Sequence, residues 1–453
     1  MPGMRNGPGS TFGPAMWPLM VQSDGHIWYS RCMRISGTYQ PRIVDDELRE
    51  SLSVLGAVVI EGPRACGKTW TATNVASSRL DVEVDPTITL AMETDPSLLL
   101  RGPVPRLLDE WQVHPALWDV VRREVDARQS PGQFILTGSA IPSAHARTHS
   151  GAGRFGWVRM RPMSLWESGD STGEVTLRSL FNQEAIASDP VAHQVWDIAR
   201  LVVRGGWPET VGLPDSHVSR FAASHLRAVS EIDLSQFGQP RRDTARVRRL
   251  LRSLARAESS EMSVRALTAD VGQGDERTVS RNTVIDYLAA LEQLMVTEDQ
   301  PAWSAALRSR AVLRSTSVRR LADPSLAAAA LGVTGERLVD DLETLGLLFE
   351  SLVVRDLRVY AQVFGGQVYH FRDSYGHEID AIIEHPDGTW GACEIKLGLG
   401  AADRASDSLR AAVDQIDTRV CGQPTFLAVI TGTGLATRRS DGVYVLPVGA
   451  MRP

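Results

Sequence analysis

The chain has 453 residues, room for two to four domains at about 100–200 residues each. Its formal charge of -6 excludes a basic coat over the whole surface and leaves only a local basic patch for nucleic acid. Four scattered cysteines (Cys32, Cys66, Cys393, Cys421) without CxxC spacing exclude a disulfide framework or paired-cysteine zinc site, and no apolar run reaches about 18 residues, which excludes a membrane span.

Residues 1–32 are rich in Gly, Pro and Met without periodicity. They read as a disordered extension, drawn to residue 36, with Met33 as an alternative start. No charged-then-apolar signal pattern opens the chain, so a cytoplasmic location is expected.

Asp45 to Leu55 has the spacing of an amphipathic helix. Ala57-Val58-Val59-Ile60 is short, apolar and largely β-branched, and reads as a buried strand. Gly62-Pro63-Arg64-Ala65-Cys66-Gly67-Lys68-Thr69 follows and leads into a helix from Lys68. This matches the phosphate-loop pattern in full. Its glycines let backbone N–H groups turn in around phosphates, and the helix presents its positive end. Lys68 reaches the β- and γ-phosphates, and Thr69 offers its hydroxyl to Mg²⁺. ATP and Mg²⁺ are the expected ligands.

Arg106-Leu107-Leu108 is a second strand ending in Asp109-Glu110. Asp109 is the expected Mg²⁺ carboxylate and Glu110 the group that orients attacking water. Pro105 implies that this strand is short or near an edge. A helix from Pro115 to Gln129 precedes a third strand, Gln133 to Thr137. Thr137 and Ser139 stand where a polar group touches the γ-phosphate or the water beside it. Strands alternating with helices predict an α/β fold with a parallel sheet covered on both faces.

From about Gly37 onward the chain resembles a bacterial and archaeal group of AAA-type ATPases that carry a C-terminal domain of unknown function. The resemblance rests on Tyr39-Gln40-Pro41-Arg42, Glu61-Gly62-Pro63-Arg64, Leu108-Asp109-Glu110-Trp111-Gln112, Leu136-Thr137-Gly138-Ser139, Gly151-Ala152-Gly153-Arg154 and Gly205-Gly206-Trp207-Pro208-Glu209. It implies an AAA-type core at 37–215, with Lys68 and Glu110 catalytic and Thr137 or Ser139 a sensor. It also implies Arg154 as an arginine that reaches a phosphate, across a subunit interface in a homo-oligomer.

Arg241, Arg242, Arg246, Arg248, Arg249 and Arg252 crowd the next segment. Helices at 243–300 and a hairpin with Trp303 give the order of a winged helix-turn-helix over 216–325. Ser280, Arg281, Asn282 and Thr283 would open the recognition helix on DNA, with the arginines on phosphates. The competing reading is a solvated helix face or a protein-docking module.

From about 340 the pattern is helix, three strands, helix, strand. Glu350, Asp380 and the Glu394-Ile395-Lys396 triplet follow the layout of the restriction-endonuclease-like fold, assigned to 326–453. Asp380 and Glu394, joined by Glu350, would bind Mg²⁺. Lys396 lies on the same strand face as Glu394 and would assist an attacking water, with Gln415 as an accessory. Four functions follow: an ATPase switch or motor on DNA, an ATP-gated nuclease, an ATP-bound interaction protein and, least supported, a small-molecule kinase.

Overall fold

The computed structural model describes residues 39–85, 87–138, 151–233, 242–273, 279–305 and 317–453. The expected 1–36 extension, Ser139 and Arg241 lie outside the described residues.

A five-stranded parallel sheet forms the N-terminal part. Its strands are β1 (Ala57–Glu61), β2 (Ser78–Asp81), β3 (Arg106–Asp109), β4 (Phe134–Gly138) and β5 (Phe155–Arg159), in the order β2-β3-β4-β1-β5. β1 is buried from Ala57 through Ile60, as a central strand covered on both faces must be. Its side chains alternate between two cores. Val58 and Ile60 join Leu107 and Ile135, while Ala57 and Val59 join Leu108 and Leu136. Helices α1 (Val44–Val54), α2 (Lys68–Val75), α3 (Thr87–Thr94) and α4 (Leu117–Arg128) connect or cover the strands.

β3 is short, as Pro105 implies, but it is not an edge. β2 and β4 flank it, and Pro105 stands just outside the strand, where its carbonyl accepts from Ser77 N–H. β2 is the edge. Only Leu80 of its four residues is buried, which is why its polar sequence gives no strand signal.

The middle of the chain is helical: Val195–Arg204, Asp215–Ala228, Thr244–Arg256, Val264–Val271, Arg281–Gln293 and Pro324–Leu331. Among the described residues, four two-residue strands lie outside the large sheets, three of them in this part of the chain. β6 (Val175–Thr176) precedes these helices, and β7 (Ser260–Glu261) pairs antiparallel with β8 (Val318–Arg319) among them.

The C-terminal sheet has the order β13-β14-β12-β11-β10-β9. Its strands are β9 (Gln367–Arg372), β10 (Glu378–Glu384), β11 (Trp390–Lys396), β12 (Phe426–Thr431), β13 (Thr437–Arg438) and β14 (Tyr444–Pro447). β11, β12 and β14 run parallel, and β9 and β10 pair antiparallel. The long helix Leu342–Gln362 packs against β9, β10 and β11, and Ala402–Val413 packs against β11 and β12. The last strand, β15 (Met451–Arg452), pairs with β6 rather than with this sheet. One apolar cluster runs from Val44 to Met451 across the expected domain boundaries.

Candidate functional site

The sheet order sets the geometry of the nucleotide site. β4 lies between β1 and β3, so Thr137 at its end pairs with Ile60 on one side and Asp109 on the other. The loop leaving β1, the hydroxyl of Thr137 and the carboxylate of Asp109 therefore share the carboxyl edge of the sheet.

Two residues of the loop adopt positive φ, Ala65 at 64° and Gly67 at 105°. Gly67 needs that freedom, being in a left-handed conformation immediately before α2. Gly62 is required for a different reason: a Cβ there would lie 2.1 Å from the Met160 carbonyl oxygen. Lys68 is buried, and its Nζ donates to the Gly62 and Pro63 carbonyls, each at 2.9 Å. The ammonium is thus held inside the curve of the loop.

Asp109 is also buried. Its Oδ1 accepts from Thr69 Oγ1 at 3.0 Å and from Thr137 Oγ1, and its Oδ2 accepts from Arg79 Nη2 at 2.7 Å. The hydroxyl and carboxylate expected to share Mg²⁺ are thus in contact, and both are the hard oxygen donors that this ion takes. The residues fit the ion. Glu110 sits one residue on with φ 57°, a turn that carries its side chain out of the strand direction, and Gln112 Nε2 donates to its carboxylate.

Arg154 does not join this group. It immediately precedes β5, whose Phe155 pairs with Ala57 at the opposite end of β1, and it forms an ion pair with Asp126 at 2.8 Å. Within its own chain it is at the wrong edge of the sheet for a phosphate. Two arginines without an expected role lie close instead: Arg79, on Asp109, and Arg42, on the loop. Arg42 belongs to a motif that carries the resemblance. Arg79 has no sequence signal, because its strand has none.

The Gly205–Glu209 motif packs on the nucleotide site. Pro208 lies beside Gly67, and the Met163 N–H donates to the Gly206 carbonyl at 2.6 Å. A Cβ on Gly206 would lie 2.1 Å from the Met163 carbonyl oxygen, so only glycine fits. Trp207 is buried against His225 and donates from Nε1 to Ser325. Burial pulls the His225 imidazole down to about 4; Asp323 opposes this, while Arg64 and Lys68 add to it.

The C-terminal cluster lies on β10, β11 and the long helix. Lys396 Nζ is 2.7 Å from Glu394 and 3.5 Å from Asp380, and the Ile395 N–H donates to Asp380 at 2.7 Å. Burial pushes Glu394 up to about 7, with Asp380 adding to the effect and Lys396 opposing it. Its Oε2 is buried and has no hydrogen-bond partner among the described residues. Glu350 faces the group, also pushed up to about 7 by burial, but its Oε1 accepts from Arg320 at 2.6 Å. Among the described residues no three or more His, Cys, Asp or Glu are arranged to hold a metal ion. The expected trio is gathered, with an ammonium between two members and a guanidinium on the third. Gln415 is exposed, beyond the end of the Ala402–Val413 helix.

The arginine row of the middle segment is largely engaged. Arg242 pairs with Asp286, Arg246 with Asp243 and Arg248 with Glu231, and Arg249 donates to the Val271 carbonyl. Ser280 caps its helix by accepting from the Thr283 N–H, which leaves Arg281 and Asn282 exposed at the helix start.

Residues 56–168 match the family model described as AAA domain. This segment is an AAA-type P-loop domain. Residues 195–337 and 345–451 match two models described as Domain of unknown function (DUF8612 and DUF4143), so the AAA domain is followed by regions whose families carry no assigned role. The chain is similar to uncharacterized proteins of Mycobacterium tuberculosis and Mycobacterium bovis. Each is 25% identical over 404 residues, covering 84% of this chain and 83% of the relative. Among solved structures it is similar to a Walker-type ATPase of Pyrococcus abyssi, at 13% identity over 63% of this chain and 94% of that one, TM-score 0.39. A second is described as Drosophila ORC bound to DNA, at 11% identity over 71% and 97%, TM-score 0.20. No helix among the described residues is long and apolar enough to cross a membrane.

Proposed function

We propose that this protein is an ATP-hydrolysing switch whose AAA domain sets the state of the C-terminal half, acting on DNA. Lys68 and the loop amides bind the phosphate tail, and Glu110 orients the attacking water. Thr69 and Asp109 would hold Mg²⁺, which supplies positive charge against the phosphate oxygens. Arg79 keeps one Asp109 oxygen occupied and the other turned toward Thr69.

The observation that carries the switch is a buried polar chain. Gly206 N–H donates to Asp323 at 3.0 Å, Arg355 bridges Asp323 and Asp356, and Asp356 accepts from the Leu165 N–H at 3.0 Å. Arg355 and Asp356 lie on the long helix that also carries Glu350. Arg355 is five helical steps beyond Glu350, about 7.5 Å along the axis. A shift of the Gly205–Glu209 motif on the phosphate loop would therefore reach the carboxylate cluster through a rigid rod.

DNA as the partner is supported by the exposed Arg281 and Asn282 and by the helix, strand, helix, helix, strand order of residues 244–319, the order of a winged helix. ATP turnover by purified protein, measured with and without DNA, tests the reading. Unchanged turnover across DNA lengths and salt concentrations would remove DNA from it.

A gated nuclease is the second reading, favoured by the Glu394 Oε2 beside Lys396, buried with no hydrogen-bond partner among the described residues. Asp380 and Glu394 would hold the divalent ion. The third, an ATP-bound interaction protein, is favoured by the engaged arginines. Checking the same DNA for cuts separates the two.

A further inference from the structure

Arg42 precedes α1 and is buried with Glu167, their side chains 4% and 2% exposed. All three guanidinium nitrogens are engaged. Nε donates to Glu167 at 2.9 Å, Nη2 to the Arg161 carbonyl at 2.8 Å and Nη1 to the Cys66 carbonyl at 2.7 Å. Glu167 in turn accepts from the Ile43 N–H and from the N–H and hydroxyl of Ser164. The pair joins the residues before α1, the 161–167 segment and the middle of the phosphate loop.

A buried ion pair alone is weak ground for a role, because well-packed apolar residues often serve as well. The third contact is different in kind. The Cys66–Gly67 peptide is planar, so its carbonyl and its N–H point in opposite directions. A guanidinium fixed on the Cys66 oxygen turns the Gly67 N–H away from the 161–167 segment. Gly67, with its free φ and no Cβ, is the residue whose peptide would otherwise rotate most easily. We infer that Arg42 is a positioning residue for the phosphate loop: it holds the Gly67 amide in its phosphate-binding orientation before any nucleotide arrives. The inference rests on the nucleotide-binding reading of that loop. Binding energy then need not be spent on ordering the peptide.

The test separates positioning from simple support. Arg42→Met alone strands Glu167 in the interior and lowers stability, whatever else Arg42 does. The double variant Arg42→Met, Glu167→Gln removes both charges and releases the Cys66 and Arg161 carbonyls, of which only the first belongs to the phosphate loop. Melting temperature and MgATP affinity, by isothermal titration, are measured for the wild type, the double variant, Arg42→Lys and Lys68→Ala. Expected is a double variant that regains most of the melting temperature lost in Arg42→Met yet binds MgATP roughly tenfold or more weakly than wild type. Arg42→Lys, which keeps the charge on Glu167 but lacks the fork, is expected to be folded and similarly weakened. Wild-type affinity in either folded variant would overturn the role and leave nucleotide binding intact. Equal MgATP titrations of wild type and Lys68→Ala would overturn both.

Discussion

Arg355 and Asp323 meet at 2.8 Å with side chains 4% and 0% exposed, and Asp356 lies on the other side of the same guanidinium. One arginine thus neutralises two interior carboxylates, Asp356 on its own helix and Asp323 capping the start of the Pro324–Leu331 helix. Arg355→Met leaves both unpaired, and unfolding in urea should show a loss of about 3–5 kcal/mol. Arg355→Met with Asp323→Asn and Asp356→Asn should recover most of it. If ATP turnover then no longer responds to changes in the C-terminal half, the chain through Gly206 is the link.

Glu110→Gln should bind ATP as wild type does while turnover falls about a hundredfold or more. The side chain is outside the strand and held by Gln112, so the fold does not depend on its charge. Turnover unchanged from wild type would move the water-orienting role elsewhere.

Arg79→Ala frees one oxygen of Asp109. Turnover at saturating ATP should fall about tenfold or more, with a smaller change in ATP affinity. Arg154→Ala should leave a monomer's turnover untouched, because that arginine stands at the other end of β1.

Lys396→Ala should abolish any metal-dependent cutting of DNA while ATP binding persists. The same loss in Asp380→Asn would tie cutting to the cluster on β10 and β11. Cutting that survives both variants would assign it to another group or to a contaminant.

The stability of this protein should depend on Glu258. Burial pushes its carboxyl from 4.5 up to about 7, against the Ser351 hydroxyl, Arg320 and the Leu321 N–H, which favour the ionised form. The unfolded chain releases this proton first, so stability falls as pH rises from about 4.5 to 7 and the loss is constant above. Glu258→Gln should remove that slope, a difference on the order of 3 kcal/mol by pH 8. His225 acts in the opposite sense as pH falls from 6.5 toward 4, so comparing the variant with wild type isolates Glu258.

The strands that bury both faces announce themselves. Ala57–Ile60 and Phe134–Thr137 are apolar runs with few alternatives, and the loop between β1 and α2 is fixed by glycines whose positions the phosphates dictate. β2 and β5 are not legible in the same way: one is a polar edge, and the other, Phe-Gly-Trp-Val-Arg, carries a glycine and an exposed Trp157. The placement of Asp109 beside Thr69 follows from the motif, whereas Arg79 reaches the site through strand pairing that no local pattern records, and the motif that holds Arg42 does not tell that burial sets it on the loop. Arg154 shows the converse. Its motif marks a turn, Gly151 and Gly153 both at positive φ, and the turn faces away from the nucleotide. Spacing within the C-terminal triplet placed Lys396 beside Glu394, but nothing local could show that Arg320 would occupy Glu350.

The pairing of β15 with β6 has a consequence for how the polypeptide matures. Val175 leaves the ribosome long before Met451, so the shelf of residues after the AAA domain waits with an open edge until its partner is made. Ser171 and Tyr360 wait as well, since both donate to the Met451 carbonyl. Nascent chains halted short of residue 451 should bind nucleotide yet remain sensitive to protease around 171–176, and that sensitivity should disappear when the last strand docks.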